Sequence, residues 1–106
     1  MELTRADLSA AVRELRRRVT QGAGSVPASE RQRAAEGEPF EGALGAYLDR
    51  VRRAPIDVTD AEVAALRGAG HSDDALFELT VAAALGAAGE RLAAGLAAID
   101  AAYGEG

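Results

Sequence analysis

Three side chains near the start of the last predicted helix could take part in acid–base chemistry: His71, Asp74 and Glu78. His71 is the only histidine of the chain, and histidine is the side chain whose ordinary pKa lies nearest neutrality. A general base also needs a group that orients it, and Asp74 and Glu78 follow within the next two turns. In the other interpretation His71 merely precedes the helix and is packed or solvent-facing. Both interpretations stay open on the sequence alone.

Other kinds of reactive site find little support in the composition. The chain has no cysteine, which excludes disulfides, thiol redox chemistry and cysteine-ligated metals. One histidine could complete a zinc site only together with several carboxylates, and no carboxylate cluster has that spacing. The glycines match no phosphate-binding loop. We therefore expect no metal and no cofactor.

The net charge of −5 disfavours nucleic acid and anionic membranes as partners. Residues 59–79 have the outline of a helix-turn-helix, but the second helix would begin with Asp73 and Asp74, which DNA phosphates repel. The first ten residues lack the basic and apolar regions of a signal peptide, and charged residues interrupt the apolar segment 81–103. These features predict a soluble, cytoplasmic protein.

A long apolar helix, predicted over residues 73–103, must position the three candidates. Ser72 can cap it, and the two aspartates that follow favour the positive end of the helix dipole. Apolar residues at steps of four and three predict one stripe, made of Phe77, Val81, Leu85, Ala88, Leu92, Leu96, Ile99 and Tyr103. A second stripe widens the apolar face and consists of Leu76, Leu79, Ala83 and Ala87.

So broad an apolar face predicts cover on two sides, by the rest of the chain and by another subunit. At about 1.5 Å per residue the helix would be about 45 Å long, more than a compact domain of this size easily buries. Gly86, Gly89 and Gly95 each cost about 1 kcal/mol relative to alanine, a loss that a closely packed neighbour could offset. The alternative is a kink or break between Gly86 and Gly89.

Three shorter helices are predicted before it, over residues 5–19, 41–53 and 60–67. Thr4 and Asp7 have the spacing of a capping box, with Leu3 and Leu8 placed as a hydrophobic staple. The apolar stripe of the first helix consists of Leu8, Ala11, Val12, Leu15 and Val19.

Between the first two helices, residues 21–42 are rich in glycine, proline and charge. They predict a loop or linker, and the sequence also allows one or two helical turns from Pro27 to Glu36, with the proline in the first turn. No segment alternates apolar and polar residues, so the predicted class is all-α. The expected architecture is a small helical bundle of about four helices in one domain: an N-terminal helix (1–20), a linker (21–42) and a helical core (43–106).

The segment VTDAEVAALRGAGHSDDALFELTVAAALGAAGERLAAGL, residues 58–96, resembles the C-terminal half of the alkylhydroperoxidase D-like (AhpD-like) and carboxymuconolactone decarboxylase superfamily. The similarity rests on a VT-acidic opening, an L-R-x-x-G turn, an S-acidic-acidic helix start and an R-L-A-x-G-L close. The preceding helix, ALGAYLDRVRR, is also similar, so the resemblance covers about residues 43–99.

The resemblance implies an AhpD-like fold and assembly into trimers or hexamers, alone or with a related family member. The Cys-x-x-Cys pair of the peroxidases is missing, so thiol peroxidase activity does not carry over to this chain. The first expectation is therefore a non-catalytic structural or partner subunit. The alternative is a cysteine-independent, decarboxylase-like enzyme acting on a small organic acid or lactone, with His71, Asp74 or Glu78 as its catalytic groups.

Overall fold

The computed structural model describes residues 4–103, which form five α-helices and one short 3-10 helix. The α-helices are α1 (Arg5–Gln21), α2 (Ala28–Glu36), α3 (Gly42–Arg53), α4 (Asp60–Gly68) and α5 (Asp73–Tyr103), and the 3-10 helix Pro55–Asp57 lies between α3 and α4. No strand occurs within residues 4–103. The predicted all-α class, a small bundle with a long C-terminal helix, is confirmed.

The predicted caps open α1 and α5. The Thr4 hydroxyl accepts a hydrogen bond from the amide of Asp7 at 3.0 Å, and the Asp7 carboxylate accepts one from the amide of Thr4 at 3.1 Å. The Ser72 hydroxyl accepts from the amide of Ala75 at 3.1 Å. These bonds satisfy amide groups that the first turn of a helix leaves unpaired. Leu3, one half of the predicted staple, lies outside the described residues.

Residues 21–42, predicted as a loop or linker, instead contain α2, which lies in the core. Ala34 and Ala35 of α2 are only 2% and 0% exposed. α2 crosses α5 so closely that a Cβ atom on Gly86 would lie 1.9 Å from the carbonyl oxygen of Ala35. The prediction of a linker is corrected here. Small residues that bring two helix backbones together give no large apolar signal in the sequence, yet they bury one side of the helix.

Helix α5 runs without interruption from Asp73 to Tyr103, so the kink considered near Gly86 and Gly89 does not occur. It packs against α1, α2 and α3. The side of α5 that enters the core is mainly the second, small-residue stripe: Leu76, Leu79, Ala82, Ala83, Gly86 and Ala87. The stripe of larger residues lies largely outside the core, since Phe77 is 69% exposed and Tyr103 84%.

Arg52 of α3 ties three helices together. Its guanidinium donates to both carboxylate oxygens of Glu90 on α5 at 2.6 Å and to the carbonyl of Ala35 on α2 at 2.9 Å. Nearby, the Tyr47 hydroxyl lies 2.6 Å from the hydroxyl of Thr80 and joins α3 to α5 again. These contacts fix the buried side of α5 and leave its opposite side free.

Candidate functional site

The structure does not give His71 the partner that a general base needs. The residue is half-buried beside an open groove of about 690 Å³, between the start of α3 and the end of α4. Glu41, Phe40 and Leu44 also line this groove. Within residues 4–103 no hydrogen bond or ion pair joins the imidazole to a carboxylate.

Glu78, the second candidate, performs a structural task. Its carboxylate accepts hydrogen bonds from the backbone amides of Ser25 at 2.8 Å and Val26 at 2.9 Å. These two bonds, helped by the positive charge of Arg31, hold the pKa of Glu78 below its usual value. Asp74, the third candidate, is exposed. The three predicted residues therefore do not converge on one catalytic centre.

Arg31 complements Glu78 at the loop between α1 and α2. Its side chain is 5% exposed and donates to the carbonyls of Val19 at 2.8 Å, Gly22 at 2.5 Å and Val26 at 3.0 Å. The arginine thus satisfies the carbonyls of this loop while Glu78 satisfies its amides. Nothing in the sequence distinguishes Arg31 from the exposed arginines, because its partners are backbone atoms brought close only by folding.

The described part of the chain contains no cluster of side chains that could form a metal centre. Among residues 4–103 no group of three or more histidine, aspartate or glutamate side chains lies close enough to hold an ion.

The most prominent surface feature is an uncovered apolar side of α5, which we call the outer face. None of its members is charged, and each is exposed or only half-buried: Phe77, Val81, Ala84, Ala88, Leu92, Gly95 and Ile99. An added Cβ atom on Gly95 would meet no other atom within 4 Å. Contiguous apolar surface of this kind is typical of a site where another molecule binds.

Helix α1 extends the outer face. It runs antiparallel to α5, because Arg5 near its start pairs with Asp100 near the end of α5. In the middle, the side chain of Val12 lies 3.6 Å from a Cβ atom built on Gly89. Because Val12 faces α5, the helical repeat places Leu8 and Leu15 on the side of α1 that adjoins the outer face. These two side chains are 39% and 50% exposed. The predicted apolar stripe of α1 is therefore only partly used inside the bundle.

By length and composition α5 could also cross a membrane, with a mean hydropathy of 1.3 in its most apolar window. Only 22% of that window is buried. Core helices of soluble proteins pass the same test, so this finding is weak by itself.

Comparison of the chain with family models, with curated proteins and with solved structures finds no match. The resemblance to the AhpD-like superfamily stays a prediction, and the outer face is the strongest functional feature that the chain itself presents.

Proposed function

We propose that the chain is a non-catalytic helical protein that acts as a structural or partner subunit of a cytoplasmic oligomer. The observation that carries the proposal is the outer face: a continuous apolar strip with Phe77 69% exposed and Ile99 40% exposed. Burying one large apolar side chain is worth about 1.5–3 kcal/mol. Burial of the strip would therefore make a substantial favourable contribution to the free energy of binding a partner.

The arrangement of the polar groups supports a scaffold more than a catalyst. The groups that would be needed for acid–base chemistry are used elsewhere: Glu78 holds the α1–α2 loop, and His71 has no carboxylate bonded to it within the described residues. If the resemblance to the AhpD-like superfamily is correct, the assembly is a trimer or a hexamer, or a mixed oligomer with a related family member.

A second candidate, a cysteine-independent enzyme resembling carboxymuconolactone decarboxylase, is favoured by one observation. His71 lines a concave groove together with apolar side chains and Glu41, and ligand sites commonly combine such features. A screen of small organic acids and lactones for turnover tests it. We expect no turnover by the wild type. Turnover by the wild type that is lost in the His71→Ala variant would contradict our proposal and support the enzyme.

The direct test of the proposal is the mass in solution, measured by light scattering after gel filtration over a wide concentration range. One chain has a mass of 10.9 kDa. We expect an integral multiple of this mass, which decreases on dilution. A mass of one chain at every concentration, alone and mixed with a related family member, would contradict the proposal.

A further inference from the structure

We infer that the outer face binds a second copy of this chain, with the two α5 helices antiparallel and a twofold axis passing beside Ala88. This inference rests on the proposed function and specifies its partner; a twofold contact fits a dimer or a hexamer and not a trimer. A twofold contact must be self-complementary, since each residue of one copy meets a defined residue of the other. The outer face satisfies this condition to an unusual degree.

The spacing of the outer face is symmetric about Ala88. Its steps along the chain are four, three and four residues on one side of Ala88 and four, three and four on the other. An antiparallel partner centred there would place Ala88 against Ala88 and pair Phe77 with Ile99, Val81 with Gly95 and Ala84 with Leu92. Two of these three pairs set a large side chain against a small one, which lets two helix surfaces interlock.

The same residues follow an eleven-residue repeat. Phe77, Ala88 and Ile99 are eleven apart, and so are Val81, Leu92 and Tyr103. Eleven residues complete three turns at about 3.67 residues per turn, close to the repeat of an undistorted helix. The outer face therefore stays on one side of a nearly straight helix. Two straight α5 helices can then remain in contact along the whole strip.

Charge favours the antiparallel arrangement over the parallel one. The charged residues of α5 are Asp73, Asp74, Glu78, Glu90, Arg91 and Asp100. With the axis at Ala88, none of them lies opposite another charged residue, and the two helix dipoles oppose each other favourably. In a parallel pair in register, each charged residue would lie beside the same residue of the other copy, so like charges would come together. An anionic membrane is a poorer partner, since the chain has a net charge of −5.

The strip is large enough for a specific but reversible dimer. From Phe77 to Ile99 it is about 33 Å long, and α1 beside it, about 8–10 Å away, widens it to about 15 Å. This amounts to about 500 Å² on each copy, toward the lower end of specific protein interfaces. We therefore expect dissociation on dilution.

Disulfide trapping tests the geometry, because a chain without cysteine permits single-cysteine variants. Ala88→Cys should give a covalent dimer under mild oxidation, since its two sulfur atoms would meet at the axis. Gly95→Cys alone should not, because its two copies would lie about 21 Å apart. Gly95→Cys mixed with a size-tagged Val81→Cys should form the mixed dimer. Ala10→Cys, on an exposed side of α1 away from the outer face, measures random collision.

The outcomes separate this inference from the proposed function. Efficient trapping of Gly95→Cys by itself would indicate a parallel pair and overturn the inference. An oligomeric mass without trapping of Ala88→Cys above the Ala10→Cys control would leave the assembly in place but reject the twofold contact at Ala88. A mass of 10.9 kDa at all concentrations would reject the inference, and the same mass in a mixture with a related family member would reject the proposed function as well.

Discussion

The two sides of α5 differ in an unexpected way: the middle of the core side consists of small residues, while large apolar residues on the opposite side are exposed. On the inner side, Ala83 is 0% exposed and Gly86 lies against the backbone of α2. On the outer side, Phe77 is 69% exposed and Ile99 40%. The burial of apolar area is the main favourable term both in folding and in association with a partner. The size of an apolar side chain therefore does not show whether it is buried in the bundle or in an interface.

The close approach of α2 to α5 explains why small residues are buried on the inner side of α5. Because Gly86 has no side chain, the backbones of α2 and α5 come into contact at this position, and dispersion forces act between many atom pairs. The outer side has residues of the size and spacing that a second helix needs, but the bundle provides no helix there. The following predictions test this difference, from the largest expected change in stability to the smallest.

Gly86→Ala should be a strongly damaging single-methyl change. The added Cβ atom would lie 1.9 Å from the carbonyl oxygen of Ala35, and the two helices would have to separate. We expect a loss of about 3 kcal/mol in the free energy of unfolding, measured by chemical denaturation. The matched control is Gly68→Ala near the end of α4, where the added atom meets nothing within 4 Å and helix propensity should improve. Equal effects at both positions would contradict the close crossing.

Arg31→Met should cost about 2–3 kcal/mol. The change retains an unbranched apolar stem but leaves three carbonyl groups, on Val19, Gly22 and Val26, without their donor. Arg13→Met, at an exposed position of α1, should change stability by less than about 0.5 kcal/mol. Similar denaturation midpoints for the two variants would show that Arg31 does not hold the α1–α2 loop.

Tyr47→Phe should cost about 1 kcal/mol, because the Thr80 hydroxyl keeps its bond to the Leu76 carbonyl but loses the hydrogen bond to Tyr47 at 2.6 Å that joins α3 to α5. Tyr103→Phe is the control, since Tyr103 is 84% exposed and its substitution should have no measurable effect. A loss in the control that matches the loss in Tyr47→Phe would contradict the assigned hydrogen bond.

Acid should weaken the attachment of the α1–α2 loop through Glu78. Its pKa is lowered in the folded chain, so its contribution to stability is complete above the pKa of the unfolded state and is lost as pH falls through the folded value. Glu78→Gln should therefore destabilise the chain at neutral pH and make stability less dependent on pH below about 4.5. The difference in unfolding free energy from the wild type, followed between pH 6 and pH 2, measures this directly. A difference that does not shrink toward acid would contradict it.

The sequence predicted the helices that have clear caps and large apolar stripes, and it predicted the wide apolar face of α5. It allowed one or two helical turns from Pro27 to Glu36 but did not predict that α2 packs in the core, because the buried side of α2 is formed by Ala34, Ala35 and Arg31, a residue usually found at the surface. Nor did it show which α5 stripe faces inward, because both stripes have helical periodicity. Glu78 was a reasonable catalytic candidate by type, but the backbone amides that bind it come from residues more than 50 positions earlier. Contacts of that range are set by packing and leave no local pattern.

The most direct test of the assigned outer face is a matched pair of charge insertions, Ala88→Glu and Ala10→Glu. Both positions are exposed and helical, but only Ala88 belongs to the outer face. Solution mass and helical circular dichroism would be measured for both variants and for the wild type. We predict that Ala88→Glu remains folded with the mass of one chain, 10.9 kDa, while Ala10→Glu assembles like the wild type. An Ala88→Glu variant that is folded and assembles like the wild type would show that the outer face is not where this chain meets its partner.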